Sequence, residues 1–283
     1  MPARLRPHPH PCPPPCPRSS LRPRRRPSAA SCHAARTGPR PWSRTALVAL
    51  LLACAAAPLQ AADDANIAAF STAQPGDPAP AWKFVSLPHK KPTSFTVVAL
   101  DGAKVLKVEA DDSYGNLVHA VAVRPTAHTT LAWVWRVDQL VADADLRQRS
   151  GDDSPAKICL FFAYDASRLS LGERARLSLA HSSTGQDVPT ETLCYVWDNK
   201  LAPGTAQANA FTRRIRFIVV DSGAERLGQW VSHQRDVVAD YQRLFGDESD
   251  GAVPDLSGVA VAADADNTHG HALAYVGDIV LTP

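Results

Sequence analysis

The sequence predicts an all-β fold: an antiparallel two-sheet sandwich of jelly-roll type with one or two short helices. Two observations favour it. About ten short runs are rich in Val, Ile, Phe, Trp and Tyr, and turn sequences such as Asp101-Gly102 and Pro203-Gly204 separate them. A third observation disfavours a parallel α/β fold, because long helices do not alternate with the strands. A closed barrel remains the alternative architecture.

Eleven segments carry strand patterns. They are enriched in β-branched and aromatic residues and bounded by Gly, Asp, Asn or Pro. In one of them Leu131, Trp133, Trp135 and Val137 share a face, while Arg136 occupies the other face. The predicted strands cover residues 82–87, 95–100, 104–109, 116–123, 130–137, 156–164, 191–197, 214–221, 229–233, 257–263 and 272–281.

The remaining elements follow from the same patterns. Residues 156–164 are apolar on both faces after the first positions, as expected of a central strand that is covered on both sides. Residues 236–245 have the apolar stripe of a helix, with Asp236 at the positive N-terminal end. Residues 171–181 predict a second, weaker helix.

Residues 1–61 differ from the rest of the chain and predict a leader. They hold ten of the 30 Lys and Arg residues and no Asp or Glu, which leaves 20 basic and 28 acidic side chains in residues 62–283, a net charge of −8. The overall charge of +2 therefore gives no reason to expect a nucleic-acid partner. Residues 62–283 are long enough for a single β-sandwich domain.

A signal peptide is expected within this leader. Arg40 and Arg44 precede an apolar run over 45–57, and small residues follow at 58–61. The run is too short for the roughly 20 residues of a membrane span, and no later segment is long enough either. We therefore expect an exported protein, periplasmic or secreted, with a lipoprotein anchored at Cys54 as the alternative.

Two cysteines lie outside the leader, Cys159 and Cys194, and both fall in predicted strands. In an oxidising compartment such a pair is a disulfide candidate that would stabilise the fold by about 4 kcal/mol. Two buried free thiols are an equal alternative.

An oxygen-rich loop precedes the last predicted strand and suggests a structural calcium site. Carboxylate and amide oxygens at close spacing suit a hard cation, although His269 stands where an EF-hand loop requires glycine. The alternative is a turn in which these side chains bond the backbone. The candidate metal ligands are Asp264, Asp266, Asn267 and Asp278.

Candidate ligand-binding residues combine one acidic turn with aromatic side chains. Adjacent carboxylates in the turn would repel each other unless one is protonated or shares a cation, although a solvated turn is the favoured interpretation. Aromatic faces can stack on sugar rings, but buried aromatic residues are more often core. The candidates are Asp152, Asp153, Lys157, Tyr195, Trp197, Trp230 and Arg235.

Eight motifs follow one another from residue 133 onward. They are W-V-W-R-V-D, G-D-D-S-P-A-K-I, L-C-Y-V-W-D, R-x-R-F-I-V-V, L-G-Q-W, R-D-V-V-A-D-Y-Q-R-L-F-G, D-x-D-N-T and Y-V-G-D-I. Together they resemble a bacterial exported family described as domain of unknown function 3047. The resemblance implies an exported β-rich protein and supplies no activity.

Two positions depart from the pattern of that family. Lys157 stands where arginine is expected, and Ala210-Phe211 replaces a Pro-Tyr pair. Lysine keeps the charge but lacks the bidentate fork of a carboxylate clamp. The final motif also resembles the last strand of carbohydrate-binding jelly rolls, in which an acidic residue often serves a structural calcium.

These observations favour a non-catalytic binding module of the periplasm or cell envelope, with glycan as the expected ligand. No nucleophile elbow, zinc-protease helix, Walker loop or dinucleotide fingerprint occurs. The alternatives are an envelope structural or interaction protein, and a polysaccharide-acting enzyme with paired carboxylates among Asp152, Asp153, Asp264 and Asp266. A site is expected where the 152–153 turn, the 264–267 loop and Trp197 line one concavity.

Overall fold

The computed structural model describes residues 65–184 and 189–283, which belong to one compact unit. The predicted leader, its signal peptide and the predicted boundary at residue 62 lie outside the described residues. Among the residues described, no helix is both long and apolar enough to cross a lipid bilayer.

Seven strands form the first sheet, in the order β1-β4-β11-β6-β7-β9-β8. All neighbouring strands are antiparallel except β7 and β9, because the connection over 199–214 returns the chain to the start of β7. The strands are β1 (Trp82–Val85), β4 (Tyr114–Val123), β6 (Ser154–Phe162), β7 (Glu191–Asp198), β8 (Ala206–Ala208), β9 (Ile215–Ser222) and β11 (Leu256–Asp264).

The second sheet has the order β10-β5-β12-β3-β2, and β13 pairs with β5 beside β12. All of its pairs are antiparallel. Its strands are β2 (Ser94–Leu100), β3 (Ala103–Asp111), β5 (Thr130–Gln139), β10 (Val231–Asp236), β12 (His271–Val276) and β13 (Val280–Thr282). The two sheets confirm the predicted all-β sandwich.

The core lies between the sheets and follows the predicted alternation. Trp133, Trp135 and their neighbours on one face of β5 are at most 3% exposed, and Trp133 stacks on Tyr195 of the opposite sheet with ring centroids 5.0 Å apart. Burial of such large rings dominates the apolar stabilisation of a sandwich core. The central position of β6 is also confirmed, since β11 and β7 flank it.

Two details of the strand pattern differ from the prediction. Segment 272–281 contains two strands, because the ladder with β5 is interrupted over 277–279, where three residues lie opposite two of β5. Gly277 lies close to β5 there, since a Cβ atom would lie 2.5 Å from the Val134 side chain. The short edge strand β8 has a polar and alanine-rich sequence that gives no strand signal.

Both predicted helices are present. Helix α2 (Val237–Phe245) packs its apolar stripe into the core, and the Asp236 side chain accepts a hydrogen bond from Ala239 N at 2.9 Å, as expected of an N-cap. Helix α1 (Leu171–Thr184) is three residues longer than predicted. It begins with a capping box, in which Ser170 and Glu173 bond each other's backbone N–H groups.

Residues 65–73 form a segment that we term the N-terminal strap. Phe70 stacks on Trp82 at 5.0 Å, and the Trp82 indole donates to Ala68 O at 2.9 Å. Ser71, the residue after Phe70, donates from N and Oγ to the Asp278 carboxylate at 2.9 and 2.5 Å. The strap therefore connects β1 of the first sheet to the turn that precedes β13 of the second.

Cys159 and Cys194 form a disulfide. They lie opposite each other in register on β6 and β7, on the outer face of the first sheet, with Cα atoms 4.0 Å apart. The disulfide is thus the correct one of the two alternatives left open by the sequence.

Candidate functional site

A buried ion pair lies on the outer face of the first sheet, near one end. Lys157 on β6 donates from Nζ to Asp264 Oδ2 at 2.6 Å, and Ser154 N donates to Asp264 Oδ1 at 2.8 Å. Register brings these residues together, because Asp264 at the end of β11 pairs with Ser154 of β6 on one side and with Tyr114 of β4 on the other. The Lys157 and Asp264 side chains are only 15% and 8% exposed.

Burial and the carboxylates of the acidic turn shift the pKa values of both members of this pair. Burial raises the pKa of Asp264 to about 6, since desolvation outweighs the attraction of Lys157 and the carboxylates of Asp153 and Asp152 add repulsion. Burial alone would lower the pKa of Lys157, but Asp264 and Asp152 overcome that effect and raise it above the ordinary value. Lys157 therefore keeps its charge.

The predicted acidic turn and the predicted oxygen-rich loop meet. Asp153 accepts hydrogen bonds from Asn267 N at 3.1 Å and from Thr268 N and Oγ1 at 2.7 Å each. Asp152 accepts from Asn209 Nδ2 at 2.5 Å. Both carboxylates thus organise loops, and residues more than 110 positions apart in the chain become neighbours.

A cavity of about 230 Å³ opens beside the place where the acidic turn and the oxygen-rich loop meet, and we term it the polar cavity. Gly151 immediately precedes the acidic turn and Thr268 immediately follows Asn267, so residues adjoining both predicted segments contribute to its wall. The remainder comes from the loop after β5 and from the start of the β7–β8 connection. Its lining residues are Asp143, Asp145, Gln148, Ser150, Gly151, Lys200 and Thr268.

Asp145 is the buried anion of the polar cavity. Arg147 donates to both of its oxygens at 2.8 Å, and this pairing holds the pKa of Asp145 well below its usual range. Lys200 Nζ lies 3.8 Å from Asp145 Oδ2 and is 46% exposed. Asp143, by contrast, is exposed, and no ion pair engages it within the described part of the chain.

An exposed aromatic ring contacts the arginine that separates two lining residues in the sequence. Phe211 is 52% exposed, and the guanidinium of Arg149 lies 5.3 Å from its ring centroid. Arg149 stands between two lining residues in the sequence and donates from Nε to Ala210 O at 3.0 Å. The Arg149 backbone therefore borders the polar cavity, and its guanidinium contacts the exposed Phe211 ring.

The predicted aromatic ligands lie elsewhere. Tyr195 and Trp197 are fully buried between the sheets, where they offer no surface to a ligand. Only the backbone of Trp197 approaches the site, as its carbonyl accepts from Ser154 Oγ at 3.0 Å. Trp230 donates to Asp101 at 3.0 Å on another part of the surface, and Arg235 forms a bidentate pair with Asp240.

The four predicted metal ligands do not gather around one point. Asp264 is paired with Lys157, Asp266 with Lys90, and Asp278 with Ser71 of the strap. Within the residues that the structure describes, no group of three or more His, Cys, Asp or Glu side chains could hold a metal ion. The oxygen-rich loop instead bonds the Asp153 carboxylate through its backbone.

Several residues of the polar cavity were not selected from the sequence. Asp143, Gln148, Ser150 and Lys200 lie in polar loops without a spacing that indicates a site. Asn209 could have been found only from its contact with Asp152, which depends on the position of the β7–β8 connection. A loop that covers a sheet face leaves no periodic signal.

Comparisons with solved structures find distant likenesses. The xyloglucanase domain of NopAA from Sinorhizobium fredii is 9% identical with a TM-score of 0.39, over 71% of this chain and 92% of that one. Endoglucanase 3 of family GH12 from Trichoderma harzianum is 10% identical with a TM-score of 0.35, over 73% and 99%. The Spr0440 glycoside hydrolase domain, Endo-D, from Streptococcus pneumoniae R6 is 10% identical with a TM-score of 0.29, and 71% of this chain covers only 21% of it.

Among curated proteins, no sequence matches significantly. A family model does match over residues 80–280, which is well over half of the chain and includes both sheets and the polar cavity. The chain therefore belongs to the family described as "Protein of unknown function (DUF3047)".

Proposed function

We propose that the protein is an exported, non-catalytic binding module of the periplasm or cell envelope, which holds one sugar residue of a glycan in the polar cavity. The single observation that carries the proposal is the cavity itself, lined by polar residues at the meeting point of two loops. Its 230 Å³ lie below the roughly 300–1,000 Å³ of sites for drug-sized ligands, which suits one small polar ring.

The lining chemistry matches the hydroxyl groups of a sugar. Asp143 supplies acceptors, Lys200 supplies donors, and Gln148 and Ser150 can do both. The exposed ring of Phe211 nearby provides a face on which an adjoining sugar residue could stack. A ligand of alternating hydroxyl and C–H surface would satisfy both features.

The contacts of the carboxylates support binding over hydrolysis. Asp145, Asp153 and Asp264 each have strong partners, in Arg147, the loop backbone and Lys157 respectively, which leaves Asp143 as the one carboxylate of the cavity lining without an ion pair among the described residues. Glycoside hydrolysis requires one carboxyl group free to donate a proton and a second free to act on the sugar or on water. Carboxylates that are held by such partners instead preorganise a rigid surface for ligand recognition.

Glycan-array screening followed by calorimetry tests the proposal. We expect an oligosaccharide ligand whose dissociation constant rises at least ten-fold in Asp143→Ala and in Lys200→Ala. Asp77→Ala and Lys83→Ala are matched controls, since both remove an exposed charge from the first part of the described chain, outside the segments that line the polar cavity. A folded protein that binds no arrayed glycan, or cavity variants that bind like the controls, would overturn the proposal.

A further inference from the structure

Helix α1 presents an outward apolar stripe that no part of the described chain covers. Leu171, Ala175 and Leu179 are spaced four residues apart, so they share one face of the helix. Leu171 is 78% and Leu179 70% exposed, the two highest values among the large apolar side chains described. Such a stripe on a surface helix normally faces a core or a partner.

The opposite side of α1 faces the body of the protein. Glu173 lies 3.2 Å from Arg214 Nε in an ion pair, and Leu177 is half-buried. These two positions are four residues apart and lie roughly half a turn from the leucine stripe. The helix is therefore held with its leucines pointing away from the sandwich.

Two arginines border the stripe. Arg174 and Arg176 are exposed, and at 100° per residue they lie about 100° to either side of its centre. No ion pair engages them within the described part of the chain, and the one acidic residue among the described side chains of α1, Glu173, is already paired with Arg214. The outward face of α1 is thus apolar in the middle and positive at both margins.

We infer that α1 docks on an anionic lipid surface, with the stripe inserted among the acyl chains and the two arginines at the headgroups. Exposed leucines beside basic residues are one feature of helices that lie in a membrane interface. Arginine stems reach outward from such a position while the guanidinium groups stay with the lipid phosphates. The positive margins oppose pairing with a second copy of the same helix.

Vesicle sedimentation with the exported and purified chain tests the inference, after mass spectrometry has identified its N-terminus. We expect at least ten-fold stronger partitioning onto vesicles of equal phosphatidylglycerol and phosphatidylcholine than onto phosphatidylcholine alone. Raising the salt from 25 to 300 mM should weaken the binding, because the attraction is screened. The lipid preference does not depend on the polar cavity or on glycan binding.

Variants identify the surface that binds. Leu171→Ser with Leu179→Ser should reduce partitioning at least ten-fold, and Arg174→Gln with Arg176→Gln about thirty-fold at low salt, given about 1 kcal/mol for each basic side chain near an anionic leaflet. Val280→Ser is the control, since Val280 is 54% exposed on the second sheet. Equal binding to both vesicle types, or leucine variants that bind like the control, would refute the inference. It would also be refuted if the chain bound acidic proteins but neither type of vesicle.

Discussion

Replacing Lys157 by methionine tests the electrostatics of the buried pair. Methionine fills a similar volume without charge, so the change leaves Asp264 beside Asp152 and Asp153 with only Ser154 N as a donor. Removing one member of a buried ion pair costs about 3–5 kcal/mol, because the remaining charge is uncompensated. We expect a loss of about 3 kcal/mol at pH 8.

The same loss should nearly vanish at pH 5. The pKa of Asp264 is about 6 in the folded protein and thus above the ordinary carboxyl value, so its contribution to stability is full at low pH and is lost as the pH rises towards 6. Without Lys157 the pKa rises further, and the loss continues above pH 6 by up to about 1.4 kcal/mol per pH unit. At pH 5 the carboxyl is protonated and needs no partner.

Urea denaturation followed by tryptophan fluorescence measures this effect at pH 5 and pH 8. Asp264→Asn in the methionine background should recover most of the stability at pH 8, since the amide can keep the acceptor for Ser154 N. Lys157→Arg is a second control, because it keeps the charge. A loss of equal size at both pH values would refute the assignment of the cost to an unpaired carboxylate.

Three further predictions concern the disulfide and two buried carboxylates. The double variant Cys159→Ala with Cys194→Ala should lower the free energy of unfolding, measured in urea, by about 4 kcal/mol. A reductant should lower the stability of the native chain by the same amount. A further loss when the reductant is added to the double variant would contradict the assignment to the disulfide. Burial raises the pKa of Glu191 above its usual value, so the free energy of unfolding should fall as the pH rises from the usual carboxyl pKa towards the raised one. Glu191→Gln should flatten this dependence of stability on pH, and an unchanged slope would exclude Glu191 as the cause. Asp221→Asn should lower the free energy of unfolding by about 3 kcal/mol, because Asp221 is buried and its negative charge pairs with Arg226 and contacts His233. The amide could still accept from Trp135 Nε1, so Trp135→Phe should cost less, and equal losses would argue against a charge effect.

The sheets could be predicted because alternation is a local property. The face shared by Trp133 and Trp135 follows from a period of two, and the structure buries that face. The same rule gives no answer for β7, where all eight residues are buried and both faces are apolar. Tyr195 and Trp197 could therefore be read as surface or as core, and only the arrangement of the two sheets decides.

The candidate site could be predicted only in part, because it depends on register. The sequence contains the acidic turn and the oxygen-rich loop, but their meeting depends on β11 lying beside β6, which places Asp264 opposite Ser154. The choice of partner strand involves residues 110 positions apart, and no local pattern encodes it. The polar cavity follows from this long-range pairing.

The N-terminal strap has a consequence for the order of assembly. Ser71 and Asp278 are 207 positions apart, so the first part of the described chain is bound by a residue close to the end of the described chain. A polypeptide emerges from a ribosome or a translocation pore with its N-terminus first. Ser71 therefore cannot form these hydrogen bonds until residue 278 has emerged, and a chain truncated before that residue lacks the carboxylate that holds the strap.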